Sequence, residues 1–190
     1  GMGSASTLFF VNDSGNGGGG GAGGEVVAYI DVVSLPNSLF IVVGGAGEGS
    51  GPGGAGSDGG DSSITTTPPS AGSTVILSAS GGKGGTPYNP SSLPSGQGGF
   101  GGNSTFDSTY IARAINIIGE SGQHPRVGRG GNGGNSHYGV GTTGRYPGLV
   151  PESAPLLFFL SNYASGGGGG CVDTSGYDGS PGFVALYEFN

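Results

Sequence analysis

Charge is scarce in this chain. Of 190 residues only 12 are acidic and 5 basic, which leaves a formal net charge of −7. That balance argues against a nucleic-acid backbone or an anionic membrane surface as partner. Glycine-rich RNA-binding segments are also arginine-rich, and this chain is not. Its single cysteine, Cys171, excludes an intrachain disulfide and any cysteine-based zinc cage. No apolar run approaches the roughly 18 residues needed to span a bilayer, so membrane insertion is not expected. Helix signals are nearly absent as well, because no segment holds a 3.6-residue hydrophobic period for three turns. The only methionine is Met2. "GMGSAS" (1–6) reads as an expression scar, and its match to the N-myristoylation pattern is spoiled by Gly1 ahead of the methionine. Residues 7–190 then read as one domain excised from a longer protein.

What the chain does have is glycine, 49 of 190 residues, about a quarter where roughly 7% is usual. Each ordered glycine forfeits more backbone entropy than any other residue, so disorder is the first reading to test. A disordered linker would be polar and poor in aromatics, whereas this chain carries 8 Tyr, 9 Phe and 33% hydrophobic residues. Those residues cluster into short runs, which favours an ordered fold.

The runs read as strands: 7–11 (TLFFV), 26–33 (VVAYIDVV), 38–43 (SLFIVV), 75–78 (VILS), 110–118 (YIARAINII), 156–160 (LLFFL) and 183–189 (FVALYEF). Each is rich in Val, Ile, Phe and Tyr and bounded by Gly, Pro, Asn or Ser. Leu35-Pro36-Asn37 suits a hairpin turn between the second and third runs. The expected fold class is mainly β with irregular glycine-rich regions and little or no α-helix.

The glycine tracts have a period of their own. "GQGGFGGNS" (96–104) and "GRGGNGGNS" (128–136) share the frame G-x-G-G-x-G-G-N-S. Glycine recurs at Gly96, Gly99 and Gly102 in one copy and at Gly128, Gly131 and Gly134 in the other. The same spacing marks the tracts around 15–24, 53–59, 81–84 and 176–182. A polyproline II helix has three residues per turn and no internal hydrogen bonds. Glycine on two of its edges leaves two bare backbone faces that can bond laterally to neighbouring helices. The third edge carries Gln97, Phe100 and Asn103, or Arg129, Asn132 and Asn135, at the outside of such a bundle. "GGGGG" at 17–21 or 166–170 suits its centre. Collagen needs an unbroken G-X-Y run rich in proline, and here each run stops after three or four triplets.

Motifs for chemistry are weak. "GSGPGG" (49–54) and "GRGGNG" (128–133) satisfy G-x-G-x-x-G, but neither opens a helix that could face a pyrophosphate. His124 and His137 have no carboxylate or second histidine at ligand spacing. "GGAGSDGGD" (53–61) approaches the calcium nonapeptide without its alternation or tandem copies, so no metal site is expected, and Asp58 and Asp61 are the residues nearest to a calcium pattern. No nucleophile elbow or catalytic triad signal is present, so neither enzymatic activity nor a cofactor is expected.

The informative non-glycine pieces lie between tracts: "TPYNPSSLPS" (86–95), "STFDSTY" (104–110), "SHYGVGTTGRYPG" (136–148) and "CVDTSGYDG" (171–179). They place tyrosine or phenylalanine among small polar residues. Tyrosine offers rigid contact area with a polar tip, and loops on a rigid scaffold commonly carry recognition. The competing reading has these aromatics cap the β core. The recognition candidates are Tyr88, Asn89, Phe106, Tyr110, His137, Tyr138, Arg145, Tyr146, Asp173 and Tyr177.

The succession "GGGGAGGEVVAYIDVVSLPNSLFIVVGGAGEGSGPGGAGSDGGDSSI" (18–64) and the closing "GGGGGCVDTSGYDGSPGFVALYEF" (166–189) resemble the glycine-rich domain of phage tail fibres and tip adhesins. Similar glycine helices occur in the extracellular domain of anaplastic-lymphoma-type receptor kinases and in some antifreeze proteins. The resemblance implies a bundle of polyglycine II helices packed with a β-sandwich. It also implies loops that contact a bacterial glycan or outer-membrane protein, attachment to the rest of a fibre, and a virion or extracellular location. The alternatives are a structural or trimerisation segment without receptor contact, with a homotrimer as one assembly, or a glycine-rich extracellular domain of receptor-kinase type. The strand content is higher than a pure glycine lattice needs.

Overall fold

The structure is a computed structural model, and it describes residues 16–30, 33, 35–52, 54–70, 72–87, 96–126, 129–146, 163–171 and 174–187. Six short strands form two antiparallel sheets: β1 (Glu25–Ile30), β2 (Phe40–Val42), β3 (Ser62–Thr65), β4 (Val75–Ala79), β5 (Ser104–Phe106) and β6 (Ile111–Ile117). β1 pairs with β6, and the other four run in the order β2-β3-β4-β5. Ile64 on β3, Ile76 on β4 and Ile111 on β6 form a buried cluster that draws on both sheets. Ala28 and Ile30 on β1 and Leu77 on β4 pack against it. On β1, Val26, Ala28 and Ile30 are half-buried while Val27 and Tyr29 face outward, the period-two burial of a strand with one covered face.

Three expectations change. Residues around Leu35-Pro36-Asn37 do not close a hairpin, because β1 and β2 lie in different sheets. The mostly polar "SSIT" and "STF" are strands although no apolar run announces them. Ser62, Ser63 and Ile64 continue the ladder from β2 to β4, and the Ser78 and Thr105 hydroxyls meet across β4 and β5 at 2.9 Å. Residues 183–187 are not a strand. The expected strands at 7–11 and 156–160 lie outside the described residues.

Between strands, ten extended glycine-rich segments bond sideways to one another. Segment 16–24 is the hub. The amides of Gly17, Gly20 and Gly23 donate to segment 164–170, those of Gly18, Gly21 and Gly24 to 80–86, and those of Gly19 and Ala22 to 119–124. Its carbonyls accept from Gly99 and Gly102 on one side and from Gly131 and Gly134 on another. The direction of bonding therefore repeats every third residue, as the glycine spacing predicts. Close approach explains the composition here: a Cβ on Gly19 or Gly99 would lie under 3.0 Å from backbone atoms of the next segment. Gly96 serves differently, closing a turn onto the Pro87 carbonyl with φ of 64°, and Gly128 lies outside the described residues.

Polar side chains complete the outer bonds. Asp58 and Asp61 accept from the amides of Gly84 and Gly81, Asp178 from Gly49, and Asn132 and Asn135 from Gly144 and Gly141. Short polar residues at tract edges thus replace a missing backbone neighbour. The bonding register also separates two ends. One carries the strands; at the other, the turn end, the bonded pairs Gly51 and Gly54, Pro87 and Gly96, Arg126 and Arg129, and Cys171 and Thr174 come to the level of Gly17.

Candidate functional site

The turn end gathers most of the positive charge. Arg126, Arg129 and Arg145 are three of the five basic residues. Arg126 and Arg129 exchange both backbone bonds at 2.9 Å, and the Arg145 carbonyl accepts from Gly130 at 2.9 Å, which brings the three together. The Asn16 amide group donates to the Arg126 carbonyl at 3.1 Å and anchors this turn to the hub segment.

Two arginine–tyrosine stacks form there. The Arg145 guanidinium carbon lies 3.9 Å from the Tyr177 ring centroid, and that of Arg129 lies 4.9 Å from the Tyr146 centroid. Both distances suit a cation over the negative face of an aromatic ring. Arg129 Nη2 also donates to Asn132 Oδ1 at 2.7 Å. The Nε atoms of Arg129 and Arg145 are buried with no hydrogen-bond partner. Among the described residues the ion pairs are Lys83 with Asp58 and His137 with Glu25, so no carboxylate pairs with these three arginines. Arg129 Nη1 and the Arg145 Nη atoms are not among the buried groups and make no hydrogen bond among the described residues, and a guanidinium stacked in place with such donors is prepared for a planar or tetrahedral oxyanion. Beside the Arg126–Arg129 turn, His124, Gln123 and Asn132 help to line a cleft of about 10 Å³, roughly the space of one water.

The recognition candidates divide between the two ends. Arg145, Tyr146 and Tyr177 join at the turn end, whereas Tyr88, Asn89 and Asp173 lie outside the described residues. Phe106 is on β5, opposite Leu77. Tyr110 packs against the buried isoleucines, so it caps the core. His137 and Tyr138 stack at 4.7 Å, and Tyr138 meets the Phe183 ring edge-on at 4.7 Å beside Tyr163. His137 Nδ1 also lies 3.2 Å from Glu25 Oε2. Burial raises the Tyr138 hydroxyl above its usual pKa, with the nearby Glu25 carboxylate adding to the effect. These four residues belong to the strand end and its packing. Arg129 was expected only on an outward glycine-tract edge. The signal that could have singled it out is an arginine in a chain this poor in cations.

Asp58 accepts from Lys83 Nζ at 2.9 Å and from the Gly84 amide, one on each oxygen, and Asp61 Oδ1 accepts from the Gly81 amide. The lysine beside Asp58, followed by the Gly84 amide, holds its carboxyl below the usual carboxylate range. Among the described residues no group of three His, Cys, Asp or Glu converges on a point, and no helix is long and apolar enough to cross a membrane. Cys171 is buried, its sulfur 3.0 Å from the Thr174 hydroxyl. A scan against protein-family models finds no match to this chain, and a search of curated proteins finds no significant match.

Proposed function

We propose that this chain is a receptor-binding domain of a phage or phage-like tail fibre, in which glycine segments form the scaffold and one end of the scaffold binds a bacterial surface glycan or outer-membrane protein. Its glycine segments are polyglycine II helices in a lattice, and its two sheets pack as a sandwich at one end. The threefold bonding of segment 16–24 supports the helical reading, since that period is the helix's own. The shared isoleucine cluster supports the sandwich.

The observation that carries the functional reading is the pair of arginine–tyrosine stacks at the turn end, with no carboxylate paired to either arginine among the described residues. Half-buried stacks of this kind, with Tyr146 open to solvent, suit sugars and the phosphate or carboxylate groups on them. Adsorption of the fluorescently labelled chain to a panel of bacteria tests it. Wild type is expected to adsorb to some strains, and Arg145→Lys with Tyr146→Ala to adsorb about tenfold less, a loss of roughly 1.4 kcal/mol. Adsorption to no strain, or adsorption unchanged by these substitutions in a folded protein, overturns the adhesin reading and leaves a structural fibre segment.

A further inference from the structure

Six glycine segments close a ring. Segment 16–24 bonds to 80–86, and 80–86 accepts from Gly56 and Gly59 of 56–61. Segment 56–61 donates to 44–50 through Ser57 and Gly60, and 44–50 accepts from Gly176, Gly179 and Gly182. Segment 175–182 donates to 164–170 through Tyr177 and Ser180, and 164–170 returns to the hub. The ring surrounds a cavity of about 840 Å³ that runs on beneath the strands.

Its wall alternates in hydrogen-bonding character. In segment 16–24 every direction of bonding is taken except that of the Gly18 and Gly21 carbonyls, which accept no bond among the described residues. The Ser57, Gly60 and Tyr177 carbonyls likewise accept none. On the three intervening segments the amides of Gly82, Gly85, Gly47, Gly167 and Gly170 donate none. All ten residues line the cavity. Around the ring, carbonyl-presenting and amide-presenting segments therefore alternate, the same environment that the hub itself occupies.

A second feature of the wall points the same way. Most lattice glycines have no room for a Cβ, but Gly17, Gly20, Gly56 and Gly59 do, with no atom closer than 3.5 Å to the position it would take. These four also line the cavity. Nothing in the described contacts requires glycine there, and alanine would make the unfolded chain less costly to order. A bare wall is needed only if another backbone comes close to it.

We infer that the cavity is a docking site for a glycine-rich segment of another polypeptide chain, which enters as a seventh polyglycine II strand and joins this domain to its fibre. The inference rests on the polyglycine II reading proposed above. The occupant's chemistry follows from the wall: amides and carbonyls in three directions each, and no side chain on at least two edges. That the occupant comes from outside residues 1–190 follows from the sequence. The glycine tracts of this chain already hold ring or neighbouring positions, and the segments 1–15, 88–95 and 147–162 contain no comparable glycine run. Strands of seven to nine residues would span roughly 22–28 Å of such a channel.

The test uses the full chain with a fluorescein-labelled peptide of nine glycines flanked by lysine pairs, and a nine-alanine peptide as control. Hydrogen exchange is read on the same samples. The glycine peptide is expected to bind saturably and to slow exchange at Gly47, Gly82, Gly85 and Gly167 at least tenfold, while the alanine peptide does neither. Gly20→Val and Gly59→Val, which fill the channel, are expected to abolish binding yet keep the Gly99 and Gly131 amides protected. No binding, binding unaffected by both substitutions, or wall amides already protected in the free chain overturns the docking inference. Unprotected amides at Gly19, Gly99 and Gly131 in the free chain would instead overturn the polyglycine II reading beneath it.

Discussion

Alanine at two adjacent glycines, Gly19 and Gly20, should have opposite effects. Both sit in the same five-glycine run and neither has a positive φ. A Cβ on Gly19 would fall under 3.0 Å from the Asn132 carbonyl carbon and oxygen and from the Gly133 nitrogen, so segment 129–135 must move away. That movement strains the bonds from Gly131 to Gly17 and from Gly134 to Gly20, both 2.9 Å. Two backbone bonds at about 1 kcal/mol net each, with about 1–3 kcal/mol of overpacking, give a loss of roughly 3–5 kcal/mol. The Cβ of Gly20→Ala meets nothing closer than 3.6 Å, and reduced unfolded-state entropy should stabilise it by about 0.4–1 kcal/mol. Equilibrium urea unfolding of both variants measures the difference. Equal effects at the two positions would refute the threefold bonding register.

In the free chain, amides at Gly19, Gly99 and Gly131 should exchange slowly and that of Gly98 quickly, since the first three donate to carbonyls and Gly98 donates to none; exchange read by NMR decides this. Ile76→Ala should cost about 2–5 kcal/mol in chemical unfolding as a buried large-to-small change, while Ile118→Ala, at a 68% exposed position, should change stability by under about 0.5 kcal/mol. Asp58 contributes stability above its unfolded pKa because Lys83 and the Gly84 amide lower its folded value. That contribution is lost as pH falls through the folded value, so wild type should lose stability in acid more than Asp58→Asn does when both are melted from pH 6 to pH 2. Lys83, raised chiefly by its bond to Asp58, works in the opposite sense, with stability present below its unfolded pKa and lost as alkali passes the folded one. His137→Ala with Tyr138→Ala should lower the melting temperature without reducing adsorption to bacteria, because Tyr138 packs against Phe183 and His137 stacks on Tyr138; reduced adsorption in a protein of unchanged stability would move the binding surface to the strand end.

Local pattern made the apolar strands legible: β4 and β6 fall within a residue of the runs that announce them, and β1 starts one residue before its run and ends three residues short of it. "SSIT" and "STF" are less readable because their neighbours, not their hydropathy, make them strands: one continues a ladder between β2 and β4, the other closes the edge beside β4. The false hairpin at Pro36 has the same origin. A turn sequence shows that the chain bends there, but not which strand it meets next. The site was half legible. Arg145, Tyr146 and Tyr177 stood out as loop residues, while Arg129 joins them only because segments 129–135 and 139–146 bond side by side.

Composition alone determined that the chain is built from bare backbone. Two glycines in three positions demand close lateral approach, and the scarcity of charge leaves little but backbone hydrogen bonds to fix it. The sequence also set the period, since a triplet repeat and a threefold bonding direction are the same property. It did not determine which glycine faces which neighbour, because within "GGGGG" every residue is chemically identical. Only the tertiary structure distinguishes Gly19, pressed against Asn132, from Gly20, which looks into an open channel. That distinction depends on the positions of segments more than a hundred residues away, and no local pattern encodes it.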